Sequence, residues 1–461
     1  MSVVIQSQKE VQPEVASVSR DYTAEAVPLS ERKDPVTMGL LWITMVTGFP
    51  SVLVGFAWFK EGLNLPQVIG FSLVSCLLLL AYCLPACMLG SQTGLTYALL
   101  SRKVFGRWGS RVVSLNLAWL SIVWYGLTAV LLAEGLKGLY NISVPLVWLS
   151  AGLAFVMAFN NFFGFNGVAN FARYLAGPVL VLWVGYTFIK AGASCPPQVW
   201  SEPSHAASPL ALGLVSTFVI GYSVWGNEAD YWRFGKPRLF QVTVPIVIAL
   251  AIGEFLFPVT GWMLARTTGI TDYAAATALM NTYAFGGLSV VAAIVLAVTY
   301  FAVNDSSLYG AVNALQNVHP IPRRRMVGML ASLGAVTAAV LSGIAQNFED
   351  VASVSCIFLP SATIVILAEH WLISKWHKVE GELSRVPAFA DLPPVRWSAI
   401  VAFAVGCSIG VVTTGMIPGT EMLRVGVPAL QAWVATLVIY VVLRRIEQMR
   451  EQNQSKEQER A

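Results

Sequence analysis

An apolar run that begins near Pro209 stops reading as hydrocarbon-soluble helix at Gly221, where the chain continues Gly-Tyr-Ser-Val-Trp-Gly-Asn-Glu-Ala-Asp to Asp230. Carboxylates, an amide and helix-loosening glycines are costly in hydrocarbon, so such groups should face protein, water or a ligand. A second interruption reads Thr-Gly-Phe-Pro-Ser from Thr47 to Ser51, followed by Gly55. Pro50 removes a backbone donor and Gly48 loosens the turn, which frees carbonyls and amides beside Phe49 and Ser51 to meet a ligand. A simple proline kink is the plainer reading of that break taken alone. Aromatic residues stand near the same depth: Trp119, Trp124 and Tyr125 in one apolar block, Tyr222 and Trp225 at the Gly221 break, with Ser121, Ser223 and Asn227 as polar neighbours. A planar heterocycle held between two rings gains roughly 1–3 kcal/mol per stacked face. Glu228, Glu254 and Asp305 are carboxylates in apolar surroundings and thus candidate proton carriers, because a poorly hydrated carboxylate favours its neutral form. Each could equally be a carboxylate hydrogen-bonded between helices. Asn304, next to Asp305, could serve coupling or fix its own helix, and Asp230 is expected to pair with Arg233.

These groups need a membrane-spanning scaffold. Hydrophobic residues make up 56% of the 461 residues and charged residues 12%, and the charges avoid apolar blocks of about 20 residues, each long enough to cross a bilayer. Twelve such blocks are expected, centred near residues 49, 78, 124, 156, 180, 220, 253, 298, 337, 361, 406 and 434. An even number puts both termini on one side. With that side cytoplasmic, all Lys and Arg except Lys60, Lys137, Lys190, Arg266 and Arg424 fall in inner segments or at their edges, as the positive-inside rule requires. The net charge of +4 reflects this sidedness and gives no support to nucleic-acid binding. Residues 1–34 lack an apolar run and read as a disordered cytoplasmic tail, and residues 446–461 as a second, Gln-rich tail. Residues 35–445 form the transmembrane domain. The two interruptions fall in blocks 1 and 6; five blocks apart is the spacing two five-helix repeats would give, and broken helices in corresponding halves are where transporters keep cargo.

Other functions find little support. Five of the six cysteines lie inside apolar blocks and Cys195 stands alone in an external loop, so no disulfide framework follows. Gly-Cys-Ser-Ile-Gly from Gly406 fits a nucleophile-elbow string, but it lies within an apolar block, where that spacing lets helices pack closely. No His-Glu-x-x-His pair or Walker A string occurs. An enzyme is not expected, nor is a cofactor, a metal or an obligate protein partner. A channel or a non-transporting receptor is the alternative from another class.

Several motifs carry a resemblance: Gly-Ser-Gln-Thr-Gly-Leu-Thr from Gly90, Leu-Leu-Ser-Arg to Arg102 with Phe105-Gly106, Ala-Asp-Tyr-Trp-Arg-Phe-Gly from Ala229, Asn-Asp-Ser-Ser-Leu-Tyr from Asn304, and a weaker stretch from Asn347. From about Arg32 to Arg445 the chain resembles the nucleobase–cation symporter-1 family, and within it the bacterial members that carry cytosine and purines. The resemblance implies an all-α membrane protein of LeuT type: twelve transmembrane helices, a five-plus-five inverted repeat (about 38–190 and 209–373) with helices 1 and 6 broken, and two added helices at about 397–445. It implies a planar nucleobase between the broken helices and helices 3 and 8, carried by alternating access through a bacterial inner membrane. Trp124 matches the stacking tryptophan. Ser121 and Thr299 stand where cytosine-carrying members have Gln and Asn; a hydroxyl cannot offer an amide's paired donor and acceptor, so cytosine itself is not assured. Gly221 falls at the second aromatic position with Tyr222 beside it and Trp225 one turn on, and Ser223 matches a polar binding position. Ala302 and Val303 replace two hydroxyl residues that complete the ion site of sodium-coupled members, which favours a proton over sodium because a hard cation needs several oxygens. Within the family the cargo could be cytosine, a purine, uracil, allantoin or a hydroxymethylpyrimidine-type vitamin precursor.

Overall fold

The computed structural model describes residues 21–47, 49–206, 225–271, 275–276, 279, 287–343, 348–374, 385–386, 389–424 and 426–460. The described chain is helical, and its one β-contact is an isolated bridge between Lys33 and Gly235. Helix α1 (Pro35–Val46) starts where Asp34 accepts from the amides of Val36 and Thr37 and Pro35 occupies the first turn. It is followed by α2 (Phe49–Lys60), and the axes of Pro35–Val46 and Ser51–Lys60 differ by 41°. Helix α3 (Leu65–Thr93) opens on a capping box between Asn64 and Gln67 and ends at Gly94 with φ 71°.

The 44-residue helix α4 (Tyr97–Tyr140) is two helices joined at Gly106, whose φ of 80° and ψ of −176° no helix contains. Arg107 and Trp108 donate from that kink to the carbonyls of Pro393 and Pro394. The run Leu146–Ser194 comprises α5 (Leu146–Met157), α6 (Gly164–Phe171) and α7 (Gly177–Ser194). At Gly164, φ 65° and ψ −153° take the chain out of helix where the sequence expects blocks 4 and 5 to meet. After α8 (Glu228–Trp232), α9 (Leu239–Leu250) and α10 (Phe257–Thr268) form one span through a π-helical turn, Ala251–Leu256. The remaining helices are α11 (Ser289–Val318), α12 (Arg323–Leu341), α13 (Phe348–Ala368), α14 (Trp397–Thr413) and α15 (Pro428–Arg460).

Among the described residues eight helices are long and apolar enough to cross a bilayer, nine with the bent α1–α2 pair, and α14 is a shorter apolar helix. The sixth expected block falls largely on residues 207–224, outside the described residues. Its neighbours pack at backbone distance. A Cβ on Gly261 would lie 1.9 Å from the Val52 carbonyl oxygen, and one on Gly55 2.0 Å from that of Pro258, so α2 and α10 touch along their backbones. Gly406 of the elbow-like string meets Thr436 of α15 in the same way, at 1.9 Å from its hydroxyl. The string therefore serves close helix packing.

Two large clusters make up most of the apolar interior. One gathers Val46 and the residues before it in α1, α4 up to Leu120, α9 to Leu250 and α13 from Cys356; the other takes α2 from Val52, α4 from Ile122, α10 from Phe257 and α13 at Ala352. The gaps in the four helical runs contain Thr47 and Ser51, Ser121, Glu254 and Ser355. The polar residues form a layer between two oily halves.

Residues 21–34 differ from the disordered tail expected of them. Val27 is 2% exposed and bonds Gly94, while Arg32 donates to the carbonyls of Val27, Ser91 and Gly235. Asp21 pairs with Arg323 and accepts from the Phe165 amide. Their polarity fooled a hydropathy reading because the groups that satisfy them are helix-end carbonyls and a distant arginine. Helix α15 likewise continues to Arg460, past residue 445, held at the membrane edge where Arg444 meets Glu369, Glu447 and Glu451.

The backbone contact of α2 with α10 leaves no room for a side chain. Gly261→Val should lower stability by at least about 1–3 kcal/mol, read as a fall in the thermal midpoint of the purified protein, whereas Gly185→Ala, where a new Cβ meets nothing within 4 Å, should leave it unchanged or raise it.

Candidate functional site

Helix α13 organises the aromatic candidates. The Trp124 indole N–H donates to the Ser355 hydroxyl at 2.8 Å, and the Asn116 amide to the Phe358 carbonyl at 3.4 Å, which lays α4 along α13. One turn beyond Ser355, Leu359 packs on Gly226, where a Cβ would fall 2.6 Å from the Leu359 backbone. One turn further, the Thr363 hydroxyl donates to the Gly226 carbonyl. Ser355, Leu359 and Thr363 share one helix face, so Trp124 and the turn before α8 are set about 12 Å or less apart along α13. Gly226 can make that turn because its φ is 73°.

Trp225 stands at the turn, edge-on to Tyr231 with centroids 6.4 Å apart. Its indole N–H is buried with no hydrogen-bond partner among the described residues. The two tryptophans thus differ: Trp124 has its donor satisfied and offers ring surface, whereas Trp225 carries an unmet donor suited to a carbonyl or ring nitrogen. Ser121, 7% exposed, lies three residues before Trp124 on α4. Thr299 is 1% exposed and its hydroxyl donates to the Val295 carbonyl within α11. Ser51 is buried at the start of α2. Gly221, Tyr222 and Ser223 lie outside the described residues, as does the side chain of Phe49.

The carboxylates separate by their partners. Glu228 is fully buried and accepts from the Tyr82 hydroxyl at 2.9 Å and from the amides of Trp225 and Gly226 at 3.2 and 3.1 Å. It pins α8 to α3 and shapes the turn. Asp305 accepts from Asn160 at 2.6 Å and Asn161 at 3.5 Å, and Asn161 also donates to its carbonyl. Asn304 donates to the Tyr125 carbonyl at 3.1 Å and to the Met157 sulfur at 3.2 Å. Both therefore tie α11 to neighbouring helices, the interhelical alternative to the cation-coupling role the sequence offered for them. Asp230 does not pair with Arg233: its carboxylate accepts from the Tyr97 amide and Asn227, while Arg233 donates to the carbonyls of Asp230, Asp21 and Tyr22 and to the Tyr309 hydroxyl. Helix α8 and the start of α4, distant in sequence, meet in space, and the Tyr97 amide at the start of α4 takes the carboxylate.

Glu254 is different. It is 1% exposed, sits in the π-helical turn Ala251–Leu256, and its Oε1 has no hydrogen-bond partner. Beside it, Gly253 brings the turn against the end of α1: a Cβ there would lie 2.4 Å from the Val46 carbonyl oxygen and 3.0 Å from the Thr47 hydroxyl. The Thr47 hydroxyl is also buried and unpartnered. The orphan carboxylate oxygen of Glu254 and the orphan hydroxyl of Thr47 thus lie on elements that touch at Gly253, while the Glu254 side chain itself neighbours Cys76 and Cys83 of α3. Ala302, by contrast, packs among Ala176 and Val298, so the wall it forms is apolar. Among the described residues no group of three metal-ligating side chains occurs.

Tyr82, Ser355 and Thr363 were not singled out in the sequence. Ser355 and Thr363 are two of several hydroxyls in one apolar block, where Ser and Thr can satisfy themselves on the preceding turn, and Tyr82 is a single aromatic in another, so nothing in their spacing marks them.

The family described as permease for cytosine/purines, uracil, thiamine, allantoin matches residues 26–429. The cytosine permease of Escherichia coli strain K12 is 24% identical over 411 residues, covering 88% of this chain and 93% of that protein. Among solved structures, Mhp1, a nucleobase-cation-symport-1 family transporter in a closed conformation with bromovinylhydantoin bound, superposes with a TM-score of 0.71 at 15% identity over 93% of this chain and 96% of that one. Mhp1 in its inward-facing conformation gives 0.67 at 16% identity, over 92% and 94%. The fold of this chain is that fold.

The partners of the carboxylates set their expected contributions. Asp305→Ala should cost about 1–3 kcal/mol or more, because it leaves two buried asparagine amides unpaired. Glu254→Gln should leave the thermal midpoint within experimental error, since no donor depends on Oε1. Equal losses in the two variants would contradict this division.

Proposed function

The chain belongs to the family of permeases for cytosine/purines, uracil, thiamine and allantoin, the nucleobase–cation symporter-1 family, and from that premise we propose that it imports a nucleobase-type planar heterocycle by cation symport. It is a multi-pass membrane transport protein and not an enzyme. The observation that carries the cargo reading is the pair of tryptophans set along α13: one ring anchored by Ser355, one indole N–H unmet. A flat ring with exocyclic carbonyl or amino groups uses both features, stacking on the first and accepting from the second. Ser121, Ser51 and Thr299, with Phe49, Gly221, Tyr222 and Ser223, complete the proposed contacts. Single hydroxyls at Ser121 and Thr299 suit a purine, uracil, allantoin or a hydroxymethylpyrimidine as well as cytosine.

Alternating access about the α1–α2 interruption and the α8 turn, as halves of a five-plus-five repeat, is the proposed mechanism. With both termini in the cytoplasm, one accompanying cation draws about 2.3 kcal/mol per 100 mV from the membrane potential, enough to concentrate a neutral solute. A proton is favoured over sodium. Ala302 and Val303 supply no side-chain oxygen, and Glu254 is a buried carboxylate with an acceptor open among the described residues, in the turn whose Gly253 packs on the end of α1, so it can exchange a proton as that contact changes. The inner membrane of a bacterium is the proposed location.

Uptake of labelled cytosine, adenine, hypoxanthine, uracil and allantoin into proteoliposomes, driven by an imposed proton or sodium gradient, tests this reading. Proton-driven uptake of one heterocycle is expected, lost in Trp124→Ala while the protein stays folded. Glu254→Gln should abolish accumulation against a gradient yet retain counterflow of cargo. Ala302→Ser with Val303→Thr should introduce sodium dependence. Sodium-driven uptake by the unmodified protein would overturn the proton assignment, and silence with every heterocycle would overturn the cargo class.

A further inference from the structure

On the cytoplasmic side a cavity of about 750 Å³ opens between the N-terminal segment, the start of α4, the end of α11 and the start of α12. Arg102, Arg111, Arg323 and Arg324 border it, and Asp21 is its one carboxylate among the described residues. Asp21 is already engaged by Arg323. Arg102 and Arg111 each lie 5.4 Å from the centroid of the same Phe389 ring, close enough to repel one another. Among the described residues Arg102 bonds an amide oxygen, that of Asn317, and Arg111 Nε and Arg323 Nη2 have no acceptor. In the cavity wall, Asn313 is 2% exposed and lies against the Tyr309 hydroxyl, and Gln316 Oε1 is unmet among the described residues.

The positive-inside rule puts arginines on this side of the membrane. It does not require four to border one cavity, nor two to share a ring with no ion pair on either among the described residues. Buried donors and acceptors left unpaired are costly, and a cluster of them marks a place that a ligand completes. Guanidinium groups recognise phosphate by paired N–H donors. The carboxamide of Asn313 offers the donor and acceptor that read a base edge, and Phe162 and Phe389 supply ring faces in the same lining. The volume falls within the range of about 300–1,000 Å³ typical of small-molecule sites.

We propose that this cavity is a cytoplasmic binding site for a phosphorylated heterocycle of nucleoside monophosphate size, distinct from the cargo site. Its ligand bridges the N-terminal segment to the helix ends of α4, α11 and α12, holds that segment in place, and so restrains transport when the phosphorylated form of a base is abundant inside. The binding claim stands without the cargo reading; the restraint rests on it.

The test uses the full-length protein in nanodiscs of neutral lipid, titrated calorimetrically with AMP, CMP and UMP, with ribose 5-phosphate and inorganic phosphate in parallel. Saturable binding of at least one nucleotide is expected, tighter than either phosphate lacking a base. Arg111→Gln should weaken it about tenfold or more, as loss of a charge-assisted contact does. Arg111→Lys should not restore it, and Arg450→Gln, in the exposed tail, should have no effect. Thermal unfolding confirms that each variant is folded. No nucleotide binding, equal binding of inorganic phosphate, or indifference to Arg111→Gln would each overturn the proposal. So would a response confined to nanodiscs containing phosphatidylglycerol, which would assign the arginines to a lipid headgroup. If binding holds while no cargo is found, the cargo reading alone fails.

Discussion

The rest of this molecule depends on the cost of keeping polar groups at mid-membrane. Two apolar clusters fill its inner and outer halves, and between them the helices are interrupted or carry a hydroxyl or carboxylate at one common level: Thr47 and Ser51, Ser121, Glu254, Ser355. In hydrocarbon each of these groups would be several kcal/mol out of balance if unpaired, on the order of the values for backbone groups in lipid. The protein meets that cost partly with its own bonds. Trp124 with Ser355 and Glu228 with Tyr82 and two backbone amides are such solutions. Where it does not, at Trp225, Thr47 and Glu254, the unmet atoms outline what a cargo and a coupling ion would supply.

Close helix contact makes this layer thin enough to function. Gly55 with Gly261, Gly226 with Leu359 and Gly253 with Val46 bring backbone against backbone, so that a shift of one helix must be carried to its partner. The π-helical turn at Ala251–Leu256 holds Glu254 within the span and sets Gly253 against the end of α1. Packing that is tight at glycine and loose at unpaired polar atoms suits a protein with more than one stable arrangement.

The end of the molecule that carries the N-terminal segment is built from charge where the centre is built from economy of charge. Arg32, Arg233 and Arg323 draw the N-terminal segment across the helix ends through backbone carbonyls and Asp21, while Glu369 gathers Arg396, Arg444 and Tyr440 on the other flank. Arginine is suited to this because its planar fork bonds several carbonyls at once. The same residues that define sidedness to an insertion machinery thus act as clasps in the folded protein.

The multi-pass, all-helical membrane class and the family were legible in the sequence, because each follows from local composition or from short motifs that survive in order along the chain. Hydropathy sees a block of about 20 residues, and charge bias sees which loops stay inside. The interruption at Thr47–Ser51 and the stacking candidate Trp124 were visible for the same reason: residue type alone marks them. What pairs with what was not. That Asp230 serves the Tyr97 amide and not Arg233, that Asp305 is clasped by Asn160 and Asn161, that Glu254 is left open, and that residues 21–34 are held and not loose were decided only by tertiary structure. A hydrogen bond is a property of two positions brought together from distant parts of the chain. The sequence states the donors and acceptors, and only the packing of the helices decides which of them meet.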